Sequence, residues 1–252
     1  MPSLKRAGNS VSTTDNADAS GRGSQSDTPQ ILVVAALRYE LASLRADANP
    51  ELALLETGEG IANAERQLEG WLAQNSARAV LSIGFAGALS SSLKVADLVI
   101  ADRIRGTSEK PCEKLLMAAK EVRVEPPARL GVAFTSHEIL CQSQSKRALA
   151  SSLNDNEIGF VDMESTAIAS VCSRRGIPFL IIRSISDLLG EDLPLDFNQY
   201  RSPDGRVHSS RVMKAALLRP RSLKGLFLLR KRSKLCAHRM AEFVHRLVPL
   251  IR

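Results

Sequence analysis

The sequence has no paired-cysteine spacing, no long apolar run and no internal repeat, and each absence removes a class of protein. Its four cysteines, at 112, 141, 172 and 236, form no CxxC and no short Cys/His cluster. Neither a disulfide framework nor a metal site is expected, no cofactor is implied, and a reducing cytoplasm fits best. Lys5 and Arg6 are followed by Ser, Thr, Asp, Asn and Gly instead of an apolar core, which predicts no secretion signal. No stretch reaches the roughly 18 consecutive apolar residues that a bilayer span requires. Acidic residues are scarce in the tail. Residues 201–252 hold 14 Lys/Arg against Asp204 and Glu242, a net of +12 that leaves residues 1–200 at −5 within the total of +7. The tail also lacks interleaved aromatics, with only Phe227 and Phe243, so stacking on bases, and hence a nucleic-acid partner, is not expected.

What is present suits one α/β domain, since 252 residues with 44% hydrophobic content can bury one full sheet. Residues 1–28 are polar and poor in branched residues, which predicts a disordered arm. At Ile31 the pattern changes to ILVVAAL, the mark of a strand covered on both faces. ARAVLSIGFAGAL predicts another strand running into a turn at Gly84–Gly87, and ADLVIAD and RLGVAFTS predict two more. SKRALASSL and MESTAIASVCSRRG carry helical spacing, the second with a glycine stop at Gly176. IPFLIIRSISD, at 177–187, is a strand. Buried strands alternating with helices predict a single α/β domain with a mixed, mainly parallel central sheet flanked by helices. The expected core is 29–195. Beyond it, 196–252 reads as a turn-rich loop and basic helices at 211–248, interrupted near Pro220, packed on the core or extending it.

Three carboxylates fall where such a fold places its ligands, at the C-terminal ends of strands. Glu40 follows the first strand, Glu164 opens a helix, and Asp187 ends the strand at 177–187. Taken singly, Glu40 and Glu164 read as well as first-turn acids favoured by the helix dipole, and Asp187 as a turn cap. Context decides between these readings. VDMESTAIASVCSRRGIPFLIIRSISD resembles a segment of the purine nucleoside phosphorylase/nucleosidase superfamily, in particular its methylthioadenosine/S-adenosylhomocysteine nucleosidase branch. VVAALRYEL, TGEGIANA and SIGFAGALSSSLKVADLVIAD resemble its opening strand and catalytic loop, its second glycine loop, and its central loop with the following strand. Four matches in order, over roughly residues 31–190, are far more specific than one motif.

The resemblance implies a nucleoside phosphorylase-like fold, a homo-oligomer, and a nucleoside whose N-glycosidic bond is cut. Asp187, oriented by Ser186, would protonate N7 of the departing purine as general acid. Glu164 would hold the ribose hydroxyls and stabilise the sugar cation, with Met163 on the ribose face. A methionine there would serve equally as core filler. Glu40 would position the attacking water. Ile139 and Leu140 align with the segment that clasps the base, although SHEIL carries Ile139 where the family has an aromatic.

One departure bears on the nucleophile. In the segment Leu81–Gly87, which contains Gly84, the phosphorylases of the superfamily use an arginine and a serine around phosphate, whereas this chain has Ser82 and Phe85. Loss of a donor at Phe85 favours water, while Arg38 offers a substitute ligand that keeps phosphate open. The tail, finally, resembles the C-terminal region of hopanoid-associated phosphorylases, which implies release of adenine from adenosylhopane. LKGLFLLRKRSK pairs apolar residues with cations as helices at an anionic membrane surface do. That predicts peripheral attachment through residues 211–248. The same residues would equally suit packing on the domain or a subunit interface.

Overall fold

The computed structural model describes residues 30–47, 49–202, 211–212, 214–215 and 220–251. The arm expected at 1–28 lies outside the described residues, as does part of the segment 211–248. The strands are β1 (Gln30–Ala35), β2 (Leu52–Glu56), β3 (Ala77–Ala88), β4 (Leu98–Ile104), β5 (Arg129–Thr135), β6 (Gly159–Asp162) and β7 (Phe179–Asp187). The helices are α1 (Ala42–Ala46), α2 (Ile61–Leu72), α3 (Glu113–Glu121), α4 (Ser143–Ala150), α5 (Ser165–Arg175) and α6 (Pro220–Leu247). They form an α/β fold around one mixed sheet of order β2-β1-β3-β6-β5-β4-β7, with β3 also paired to β7. Among the described residues, β3–β6 and β4–β7 are the antiparallel pairings. Because β3 touches both β6 and β7, five of the strands close on themselves.

Both faces of the sheet are covered, which is why β1 reads as a continuous apolar run and β7 is buried along its whole length. On one face Ile31, Val33, Leu81 and Ile182 pack with Met240, Phe243 and Val244 of α6. On the other, Leu32, Val34 and Ile181 meet Leu68 of α2 and Ile168 and Val171 of α5. Each such side chain stabilises the fold by about 1.5–3 kcal/mol on burial. Helix α5 stops at Gly176 in a left-handed conformation, φ 65°, as expected.

The turn expected at Gly84–Gly87 is not there: β3 runs through it in parallel register with β7, Gly84 opposite Arg183 and Gly87 opposite Asp187. These glycines serve close approach instead. A Cβ on Gly84 would sit 3.2 Å from Glu40 Oε1, and one on Gly87 would sit 3.1 Å from Asp187 Oδ2.

The C-terminal helix divides in two. From Cys236 to Leu247 its inner face is core, while Leu223, Phe227 (74% exposed), Leu228 and Leu235 face solvent among Lys224, Arg230, Lys231 and Lys234. Pro220 stands at its first position, where a missing N–H leaves no hydrogen bond unmade. No described helix is long and apolar enough to cross a membrane. All four cysteines are free.

Candidate active site

A cavity of about 850 Å³ opens over the C-terminal ends of β1, β3, β6 and β7. Glu40, Phe85, Met163, Glu164, Ser186, Asp187, Ile139 and Leu140 all line it, so the structure gathers these residues around one space. Gly84 does not line it, and lies under the site between the side chains of Glu40 and Arg183. Arg38 is exposed and outside the lining. Among the described residues no group of His, Cys, Asp and Glu is arranged to hold a metal ion.

Glu40 sits in the bend between β1 and α1, buried at 3% exposure. Its Oε2 accepts from the Leu37 N–H at 2.7 Å and its Oε1 from the Phe85 N–H at 2.9 Å. Burial outweighs these two donors and the charge of Arg183, and pushes its carboxyl up to about 7. The Phe85 ring stacks on Tyr39, with centroids 5.6 Å apart.

Glu164 caps the start of α5 and reaches back to the second glycine loop, where the Gly60 N–H donates to its Oε1 at 2.7 Å. Gly60 has φ +92°, a backbone state open chiefly to glycine, and this aims its N–H at the carboxylate. Burial, then the negative charge of Asp162, holds the Glu164 carboxyl above the usual range.

Asp187 ends β7. Ser186 Oγ donates to its Oδ1 at 2.8 Å. Its Oδ2 is 2.7 Å from Lys146 Nζ, an ammonium buried completely under α4. Ile139 has both main-chain groups tied to Asn198: its N–H donates to Oδ1 at 3.0 Å and its carbonyl accepts from Nδ2 at 2.9 Å. That leaves the main chain of Leu140 as the better candidate to meet a base.

Sequence reasoning missed three charged residues beneath the site. Arg183, at 1% exposure, pairs through Nε with Asp162 Oδ2 at 2.8 Å and turns Nη1 and Nη2 to Ser82. Asp162 also accepts from the Ser165 N–H at 3.2 Å. A lone cation inside FLIIRSISD was the readable signal, because a strand covered on both faces must pair it. Lys146 was legible too, three and four residues before Leu149 and Ala150 on the inner stripe of its helix.

Comparison with known proteins places the fold in a family. A family model described as the phosphorylase superfamily matches residues 35–218. The 5'-methylthioadenosine/S-adenosylhomocysteine nucleosidase of Shewanella halifaxensis (strain HAW-EB4) is 25% identical over 215 residues, covering 77% of this chain and 90% of that protein. The aminodeoxyfutalosine nucleosidase of Campylobacter jejuni is 25% identical over 189 residues, 66% of this chain and 80% of its own. Among solved structures, the Helicobacter pylori 5'-methylthioadenosine/S-adenosyl homocysteine nucleosidase superposes with a TM-score of 0.66 at 18% identity, over 88% of this chain and 98% of that one. Fold, pocket and relatives together define an enzyme that cleaves an N-glycosidic bond. The chain belongs to the phosphorylase superfamily.

Proposed function

We propose that this enzyme is a nucleosidase that hydrolyses a 5'-modified adenosine to release adenine, with Asp187 as leaving-group acid, Glu164 on the ribose and Glu40 at the attacking water. The observation that carries the reading is that Glu40, Glu164 and Asp187 all line one cavity. Glu40 near neutrality can take a proton from water, while Asp187 serves the departing base. Met163 would pack on the ribose face.

Water is favoured over phosphate by the charge around Glu40. A phosphate dianion beside that carboxylate would be repelled, Arg183 is turned to Asp162 and Ser82, and Arg38 is exposed and does not line the cavity. The deciding experiment follows adenine release with and without phosphate, using methylthioadenosine, S-adenosylhomocysteine, inosine and adenosylhopane as substrates. Release without phosphate is expected, and a strict phosphate requirement would establish phosphorolysis instead.

Adenosylhopane is the substrate we favour, with hopanoid biosynthesis as the setting and the cytoplasmic membrane face as the place. The support is the outer half of α6, where Phe227 and Leu228 stand exposed among cations, while Leu229 and Ser233 of the same helix line the cavity. A lipid surface there would lie next to the substrate entrance. Flotation with anionic vesicles is expected to carry the protein, and Phe227→Asp with Leu228→Asp to release it. Binding to RNA but not to vesicles would refute this attachment. The reading includes a homo-oligomer, checked by analytical ultracentrifugation.

A further inference from the structure

Asp187 is asked to donate a proton, yet one of its oxygens already accepts from an ammonium. Lys146 Nζ lies 2.7 Å from Asp187 Oδ2 and 2.6 Å from the Leu188 carbonyl, with its side chain fully shielded from solvent. Its stem passes Gly87, where a Cβ would come within 3.6 Å of Lys146 Cδ and 3.1 Å of Asp187 Oδ2. The backbone of β3 is thus bare where the pair lies against it. An amine buried this deeply, with a carboxylate on one side and a carbonyl on another, is poorly explained as packing, because a methionine of similar volume would avoid the cost of desolvating a charge.

We propose that Lys146 is a positioning residue for the leaving-group step, holding in reserve the proton that Asp187 passes to the purine. The proposal rests on the nucleosidase reading above. In the resting enzyme the pair is ammonium and carboxylate. As the C1'–N9 bond breaks and its electrons move onto the base, an N–H bond of Lys146 breaks, the Asp187 carboxyl takes that proton and hands it to N7. Lys146 is left as a neutral amine, a form that a buried site tolerates. Water forms the new bond to C1' and gives a proton to Glu40, so one water is added across the glycosidic bond. Glu40 then returns its proton to solvent.

The pair regains a proton through a second cavity of about 320 Å³ behind it, lined by Asp187, Glu191, Asp192 and Arg232. The ionisable groups that face the pair are these carboxylates from the loop after β7, Arg232 and Cys236 from α6, and Arg147 beside Gly190. Arg232 is engaged by Glu191 in two hydrogen bonds of 2.7 and 3.0 Å. Of these groups, Lys146 alone is an amine in contact with Asp187, and an amine can pass on a proton where a guanidinium does not.

The test compares an adenine nucleoside with a 4-nitrophenyl riboside carrying the same 5' group, whose leaving group departs without protonation. In the wild type, kcat for the purine is expected to fall at alkaline pH, while kcat for the nitrophenyl riboside stays level. Lys146→Met is expected to lower the purine kcat about 100-fold, with KM within a few-fold, while kcat for the nitrophenyl riboside stays near the wild-type value. Lys146→Arg keeps the charge but not the transferable proton, and is expected to behave as Lys146→Met does. Rescue by arginine, or parallel losses on both substrates, would overturn the proposal. If the variants fail to fold, the two wild-type profiles decide, and an identical alkaline fall on both substrates overturns it. Failure of the wild type to release base from any nucleoside would remove the nucleosidase reading and this proposal together.

Discussion

The two walls of the cavity both hold buried carboxyls, but they hold them with different partners. On the β1–β3 wall, Glu40 is gripped by two backbone N–H groups, and Arg183 is directed away from it toward Asp162. On the β7 wall, Asp187 is gripped by a hydroxyl and an ammonium. Neutral donors leave a carboxyl free to gain or lose a proton near pH 7, whereas an ammonium favours the charged form and brings a proton of its own. One wall is therefore suited to accepting a proton and the other to delivering one.

The largest expected effect comes from Asp187→Asn, which keeps an oxygen for Lys146 but cannot pass on a proton. It should lower kcat on the order of 10²–10⁴-fold, with ligand affinity by calorimetry nearly unchanged. Unaltered turnover would erase the difference between the walls. Arg183→Met attacks the frame of the other wall by leaving Asp162 buried and unpaired, and should cost about 3–5 kcal/mol in denaturant unfolding. Glu40→Gln should lower kcat on the order of 10²-fold. It should also abolish the rise in activity expected as wild-type Glu40 ionises near 7.

A smaller effect appears in stability. Glu40 binds its proton more tightly in the folded chain, so its contribution is complete below about 4.5 and is lost as pH rises through about 7. That loss is roughly 3 kcal/mol, and pH-dependent unfolding of the wild type against Glu40→Gln isolates it.

Much of this contrast was legible before any coordinates. The apolar runs of β1 and β7 marked a sheet covered on both faces, and Glu40, Glu164 and Asp187 stood at strand ends where ligands collect. The supporting charges were harder to read because their partners are remote in sequence. Arg183 meets Asp162 across 21 residues and Lys146 meets Asp187 across 41. The glycines of β3 were misread as a turn because close approach and chain reversal use the same residue type. The sequence left open whether the basic helices of the tail pack on the core or extend it; α6 is core on its inner face from Cys236 to Leu247 and exposed before that, and its Leu229 and Ser233 form part of the cavity wall.

The sequence by itself determined the α/β class, because apolar periodicity is a local property, and its ordered motifs carried the resemblance to the family. Only the tertiary structure decided which donor faces each carboxylate. That choice sets whether a buried acid is poised to take a proton or to give one, and it depends on dielectric and distance between segments that meet only when the sheet closes.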